Sequence, residues 1–336
     1  MTARIRFGLS LPNRAVLLGL PIETLLRTAE LAEEAFDSVW VGDNFLSKPR
    51  LEAIVTLSAV AVRTKRVKLG TVCLATFPLR HPLQLAIQWA SLDQLSGGRT
   101  ILSVCLGGSD AKGRKFAEEL ANFAVPSRER GPRLEEGVEL LRRFWGPQPV
   151  TYEGRFYRFR DVDAQPKPLQ ERLPIIIASN PAEDADPRIV EIALRRVARY
   201  GDGWQSDGTP VDVFRRRWQH VRAYAEEYGR LAAMQDSSLH LMVNINEDAA
   251  LAHRESVEFL EHYYGAGGVS DEKLKDWLAY GSPQAVIDKI ATFVDAGCLT
   301  PILRFTCDDQ IGQLERCMAE VLPAFASLRT RKPGVF

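Results

Sequence analysis

Several absences narrow the possibilities first. The chain of 336 residues has only five cysteines, Cys73, Cys105, Cys298, Cys307 and Cys317, an odd number with no C-x-x-C pair. That usage indicates neither a disulfide framework nor a zinc site, and buried filler is the expected role of Cys73 and Cys105, at the ends of neighbouring strands. No apolar run approaches the roughly 20 residues of a membrane span, and the amino terminus enters a strand without a signal-peptide pattern. A cytoplasmic protein is the expectation. Excess charge of one sign is missing as well. The 43 basic and 43 acidic side chains cancel, so neither nucleic acid nor an anionic membrane surface has electrostatic support as a partner. No G-x-G-x-x-G follows the first strand, which removes the sequence mark of an open dinucleotide-binding sheet.

What is present is a regular alternation. At 46% hydrophobic content the core can be large. Residues 67–109 hold one complete βαβ unit: an almost unbroken apolar run over 67–74, a helix opened by His81-Pro82, and a second buried strand over 100–106. In the helix Leu85, Trp89, Leu92 and Leu95 recur at helical spacing, so it lies on a sheet. Further strands are expected at 4–10, 38–42, 174–178, 203–206, 239–244 and 301–305, each followed by a helical stripe. A hairpin-like piece over 150–159 interrupts the series, and 265–281 reads as an irregular glycine-containing stretch. Eight strand–helix pairs predict a single TIM (β/α)8 barrel domain over 1–336, with insertions near 110–130, 147–170 and 265–281.

Barrel enzymes build their sites at the carboxyl ends of the strands. There the chain offers Asn13, Asp43, Asn44, Thr71, Ser109, Ser179 and Asn180. A cofactor phosphate needs backbone N–H groups at a strand exit, which nominates Ser179 and Asn180, and Gly203 with its neighbour Trp204. Lys112, Arg114, Arg128 and Arg130 read as a solvated loop. His81, at a helix start, reads as structural.

The segments LGTV (69–72), RHP (80–82), LDQLSGGR (92–99) and a strand leaving through LGG (106–108) together resemble the bacterial luciferase-like superfamily of flavin- and deazaflavin-dependent oxidoreductases. VWVGDNF (39–45), YEGRFYRF (152–159), DGW (202–204) and GSPQAVIDKI (281–290) extend the likeness over nearly the whole chain. The resemblance implies the same barrel and a flavin-type cofactor at the ends of strands three and four, on Thr71, Val72, Cys73, Gly107, Gly108 and Ser109. It also implies a strand bulge with a non-proline cis peptide, by position Val72–Cys73, beneath the central ring. Many relatives carry an acidic residue followed by histidine where this chain has Asp43-Asn44. Asn44 has no titrating group, so Asp43 is expected to orient or act as acid or base while Asn44 positions substrate or an oxygen species. Deazaflavin-dependent sugar-phosphate dehydrogenases of the family have a glutamate at Ser109, which argues against that activity here.

The leading expectation is a two-component monooxygenase using reduced FMN from a separate flavin reductase, and dioxygen, on a small organic substrate. The alternatives are an oxidoreductase passing hydride to or from the deazaflavin coenzyme F420, and a flavin-binding barrel without turnover. No metal is expected. A homodimer is, and residues 265–281 are expected to form a mobile lid.

Overall fold

The computed structural model describes residues 4–265 and 269–329. In chain order its main elements are β1 (Gly8–Ser10), α1 (Ile22–Ala32), β2 (Ser38–Val41), α2 (Ala53–Arg63), β3 (Lys68–Thr71), α3 (Pro82–Ser96), β4 (Thr100–Val104), α4 (Arg114–Asn122) and α5 (Arg130–Trp145). Then come β5 (Val150–Glu153), β6 (Arg158–Val162), β7 (Ile175–Ala178), α6 (Pro187–Tyr200), β8 (Gly203–Asp207), α7 (Val211–Glu227), β9 (Asp236–Ile245) and α8 (Ala249–Tyr264). The chain continues through α9 (Asp271–Trp277), β10 (Leu278–Gly281), α10 (Pro283–Asp295), β11 (Thr300–Phe305) and α11 (Gln310–Arg316). Strands β1, β2, β3, β4, β7, β8, β9 and β11 pair in that order, all parallel, and β11 returns to β1. This closed ring with helices between its strands is a TIM barrel.

The barrel lumen is plugged by Trp40, Ile176 and Ile302, with Val72 and Ile101 against them. Trp40 fits because Gly70, its ladder partner on β3, and Gly8, two residues before its partner Ser10 on β1, leave space where any side chain would collide with the indole. Outside, the alternate residues of each strand meet the helices in one large core that includes Leu69, Leu102, Leu241 and Leu303.

Two family-like segments anchor the end opposite the expected site. Arg99, the last residue of LDQLSGGR, donates to the carbonyls of Ala61, Thr64, Val67 and Ser96. Asp202, the first residue of DGW, is gripped by Arg142 and Arg172 and accepts from the Ile175 N–H.

The structure corrects several expectations. Residues 110–130 are not simply a charged connection, since α4 forms there. Residues 265–281 are not an irregular lid: α9 and β10 occupy 271–281, β10 pairs with β9, and Leu274, Trp277, Leu278 and Ala279 are buried. Residues 266–268 lie outside the described residues. The Val72–Cys73 peptide is trans, and the cis bond among the described residues is Gln165–Pro166.

The bulge itself is present. Gly70 pairs with Ile101 and Leu74 with Val104, so four steps along one strand oppose three along the other. The Val72 N–H donates to Val41 and the Leu74 N–H to Ser103, so the ladder resumes on either side. The extra residue also reverses the facing of the chain beyond it. Leu69 and Leu74, five apart, both reach the outer core, which leaves Cys73 facing inward, the side that Ile101, Ser103 and Cys105 share. The Cys73 and Cys105 sulfurs are bonded across a Cα separation of 6.0 Å, which overturns the expectation that no disulfide forms.

Candidate active site

The mouth at the carboxyl ends of the strands is roofed by the end of α8 and by α9. Tyr263 receives Arg14, which follows β1, at 2.6 Å on its carbonyl, and Arg304 of β11 lies 4.5 Å from its ring centroid. Lys48, in the loop after β2, sits 4.5 Å over Tyr264. Trp277 donates to the His240 carbonyl on β9 at 2.9 Å, and Lys273 lies 3.8 Å from Asp207 at the end of β8. The roof therefore touches residues on or just after five strands, β1, β2, β8, β9 and β11.

Beneath it, polar groups stand unanswered. Among the described residues six buried side-chain atoms lack a hydrogen-bond partner, and besides Trp89 Nε1 and Asn244 Oδ1 they are Gln205 Nε2, His240 Nε2, and Arg304 Nε and Nη2. A buried donor left unpaired costs about 1–3 kcal/mol, more when charged, so a cluster of four atoms marks a place where a bound molecule supplies the acceptors. Gln205 does hold Ser103 through its other amide atom, Oε1, at 3.1 Å. The field is cationic: Arg14, Lys48, Arg50, Lys112 and Arg304 have no carboxylate partner among the described residues, and Asp207 is the acid facing them, paired with Lys273. Burial, then Arg50, Lys273, Lys112 and Arg14, push the Lys48 ammonium down to about 8. Burial above all holds His240 well below the usual histidine range, with Asp207 opposing and Arg304, Lys273 and Arg50 adding to the fall.

The opposite rim is fully satisfied. Asp43 accepts from the Thr76 N–H (2.8 Å), the Thr76 hydroxyl (2.6 Å) and Arg80 (3.0 Å), and Arg80 continues to Glu52 at 2.8 Å. Burial pushes the Asp43 carboxyl up, against the pull of Arg80 and Thr76. Asn44 donates to the Ser47 hydroxyl and accepts from Arg50 at 3.3 Å, so it touches the cationic cluster where Asp43 does not. Glu119 of α4 accepts from three consecutive N–H groups, Phe45, Leu46 and Ser47, at 2.6–3.1 Å.

Of the nominated cofactor residues, Thr71, Val72, Cys73, Gly107, Gly108 and Ser109 lie together at the ends of β3 and β4. Gly107 has φ +68° and abuts the Ala75 carbonyl, leaving no room for a side chain. Arg130, expected in a solvated loop, holds the Leu106 and Gly107 carbonyls at 3.2 and 2.8 Å. Ser179 and Asn180 stand at the end of β7, but the Asn180 amide is engaged by Asp207, Thr209 and Arg217. Gly203 and Trp204 are elsewhere. Gly203 begins β8, at the amino end of the barrel, and Trp204 turns outward to stack on Phe214 and Trp218, so the strand's own alternation keeps them from a cofactor. His81 packs edge-on to Tyr157 and Phe159, a structural placement. No cluster of metal-ligating residues occurs among the described residues, and no helix there is long and apolar enough to cross a membrane.

Sequence reasoning passed over Arg304, His240 and Lys48. The available signal was a polar or charged residue within an otherwise apolar strand, as in PILRF and LHLMV. Strand periodicity places such a residue in the lumen.

The family model for luciferase-like monooxygenase matches residues 5–300. The chain belongs to this family. It is similar to the F420-dependent glucose-6-phosphate dehydrogenase of Kineococcus radiotolerans, 28% identical over 87% of this chain and 89% of the relative. The enzyme of the same name from Segniliparus rotundus is 26% identical, covering 92% of this chain and 95% of the relative. Among solved structures, the monooxygenase RslO1 from Streptomyces bottropensis superposes with TM-score 0.80 at 22% identity, over 96% of this chain and all of that one. An F420-dependent secondary alcohol dehydrogenase in complex with an F420-acetone adduct gives 0.78 at 18%, over 96% and 99%. The luciferase-like chain is thus an oxidoreductase on a shared barrel.

Proposed function

We propose that this luciferase-like protein is a deazaflavin-dependent oxidoreductase that acts on a small organic substrate carrying a negative charge. Support for the cofactor comes from relatives named as F420-dependent that align along most of the chain, and it displaces reduced FMN with dioxygen from first place. The observation that carries the substrate class is the Arg304 guanidinium, buried with two nitrogens unpartnered and acting with Arg50 on the roof tyrosines Tyr263 and Tyr264.

The orphaned donors fit an acceptor-rich ring system. The bulge at Thr71, Val72 and Cys73, and the exit at Gly107, Gly108 and Ser109, would form its backbone wall, with Gln205 Nε2 offering a hydrogen bond. Bound there, the cofactor would supply or accept the hydride. Arg304, Arg50 and Lys48 would hold the substrate's charged group, the roof of Tyr263, Tyr264 and Trp277 would exclude water, and Asn44 would orient Arg50. Asp43 would fix the loop at Thr76. A sugar phosphate of the relatives' kind is a poor match, since Ser109 and Asn44 lack ionisable groups. The expected homodimer would use exposed Val55 and Val62 of α2 and Leu95 of the adjacent α3.

Fluorescence titration with oxidised deazaflavin and with FMN tests the reading. Deazaflavin affinity in the micromolar range, about −8 kcal/mol, is expected. Micromolar FMN binding without measurable deazaflavin binding would restore the monooxygenase reading, with its partner reductase; binding of a cofactor without turnover of any substrate would favour the third.

A further inference from the structure

Cysteine placement separates two groups. Cys298 and Cys317 are fully buried, and burial pushes the thiols of Cys298, Cys307 and Cys317 up. These are poor nucleophiles. Cys73 and Cys105 are only half-buried, on the inner rim where β3 and β4 end, and they are bonded to each other. Cys105 is two residues beyond Ser103, whose hydroxyl meets Gln205, so the pair stands over the orphaned Gln205 donor. The bulge that turns Cys73 inward is the same irregularity that shapes the wall for the cofactor.

We propose that Cys73 and Cys105 are a second redox centre, a dithiol–disulfide pair that accepts two electrons from the reduced hydride cofactor bound on the same face. The proposal rests on the reading that such a cofactor binds there. A hydride adds to one sulfur, the S–S bond breaks, and its electron pair leaves with the other sulfur as a thiolate. That thiolate takes one proton. The disulfide ends as two thiols, while the reduced cofactor, having given up one hydride and one proton, ends oxidised. Regenerating the disulfide requires a two-electron oxidant, for which a second disulfide of a small thiol is sufficient. The site would thus carry thiol–disulfide reduction in addition to the organic substrate's reaction.

The test mixes disulfide-form protein anaerobically with reduced deazaflavin and no substrate, then denatures, alkylates with N-ethylmaleimide and weighs the chain. Adducts should rise from three to five as one equivalent of cofactor per chain becomes oxidised. Cys105→Ser, shown by circular dichroism to be folded, should bind cofactor within threefold of wild type yet oxidise less than a tenth of an equivalent. Cofactor binding with the count fixed at three overturns the redox centre alone. Absence of binding in the same samples overturns the reading beneath it and the redox centre together. Five adducts in protein already exposed to oxidised glutathione would also overturn it, because no disulfide would then exist.

Discussion

The two halves of the barrel mouth differ in how completely their polar groups are answered. On the β2–β4 side Asp43, Thr76, Arg80, Glu52 and Glu119 form a closed set in which each buried carboxylate has its donors. On the β8–β11 side, among the described residues, Gln205, His240 and Arg304 keep buried nitrogens without partners, and of the neighbouring cations Lys273 is paired, with Asp207, while Arg14, Lys48, Arg50, Lys112 and Arg304 have no carboxylate partner. A satisfied network fixes backbone, whereas an unsatisfied one is costly unless something else completes it. A cluster of unanswered groups, rather than polarity, is what separates the ligand site from the scaffold here.

Substitutions on the two sides should therefore fail in different ways. Asp43→Asn places an amide against the Thr76 and Arg80 donors, and should lower folding stability by about 2 kcal/mol in urea unfolding while ligand affinity stays within threefold. Lost affinity at unchanged stability would erase the distinction. Lys48 tests the other half through pH. An anion favours the charged ammonium, which is fully present only well below about 8 and is lost as pH rises through that value. Anion affinity should accordingly fall up to tenfold between pH 7.5 and 9, and Lys48→Met should flatten that dependence. The smallest effect is expected at Glu119→Gln, which keeps one carbonyl oxygen for the N–H groups of 45–47 and should cost about 1 kcal/mol of stability by thermal melting, with no change in anion affinity.

The barrel was legible because apolar strands and helical stripes repeat at lengths that only eight βα units explain. The hairpin at 150–159 and the helix start at His81-Pro82 were readable for the same local reason. α4 and β10 were not, since a short amphipathic helix in a charged segment and a four-residue strand are decided by what they pack against. The site was half legible. Strand ends could be located, so Asp43, Asn44 and the bulge at Thr71 to Cys73 were found, but polarity alone could not distinguish the engaged Asp43 from the unanswered Arg304. Gly203 and Trp204 were drawn in by a motif whose Asp202 anchors the amino end of the barrel. The disulfide was hidden because it depends on one inserted residue reversing the facing of Cys73, and spacing in sequence carries no sign of that.

Arg304 should therefore be buried for a ligand and not for the fold. Calorimetric titration of inorganic phosphate, as an anionic probe, into wild type and Arg304→Met tests it most directly, with urea unfolding of both proteins alongside. Phosphate should bind wild type and bind the variant about 100-fold more weakly, roughly 2.7 kcal/mol, while stability changes by less than about 1 kcal/mol. An affinity within threefold of wild type, or a variant destabilised by about 3 kcal/mol or more, would contradict it and return Arg304 to the scaffold.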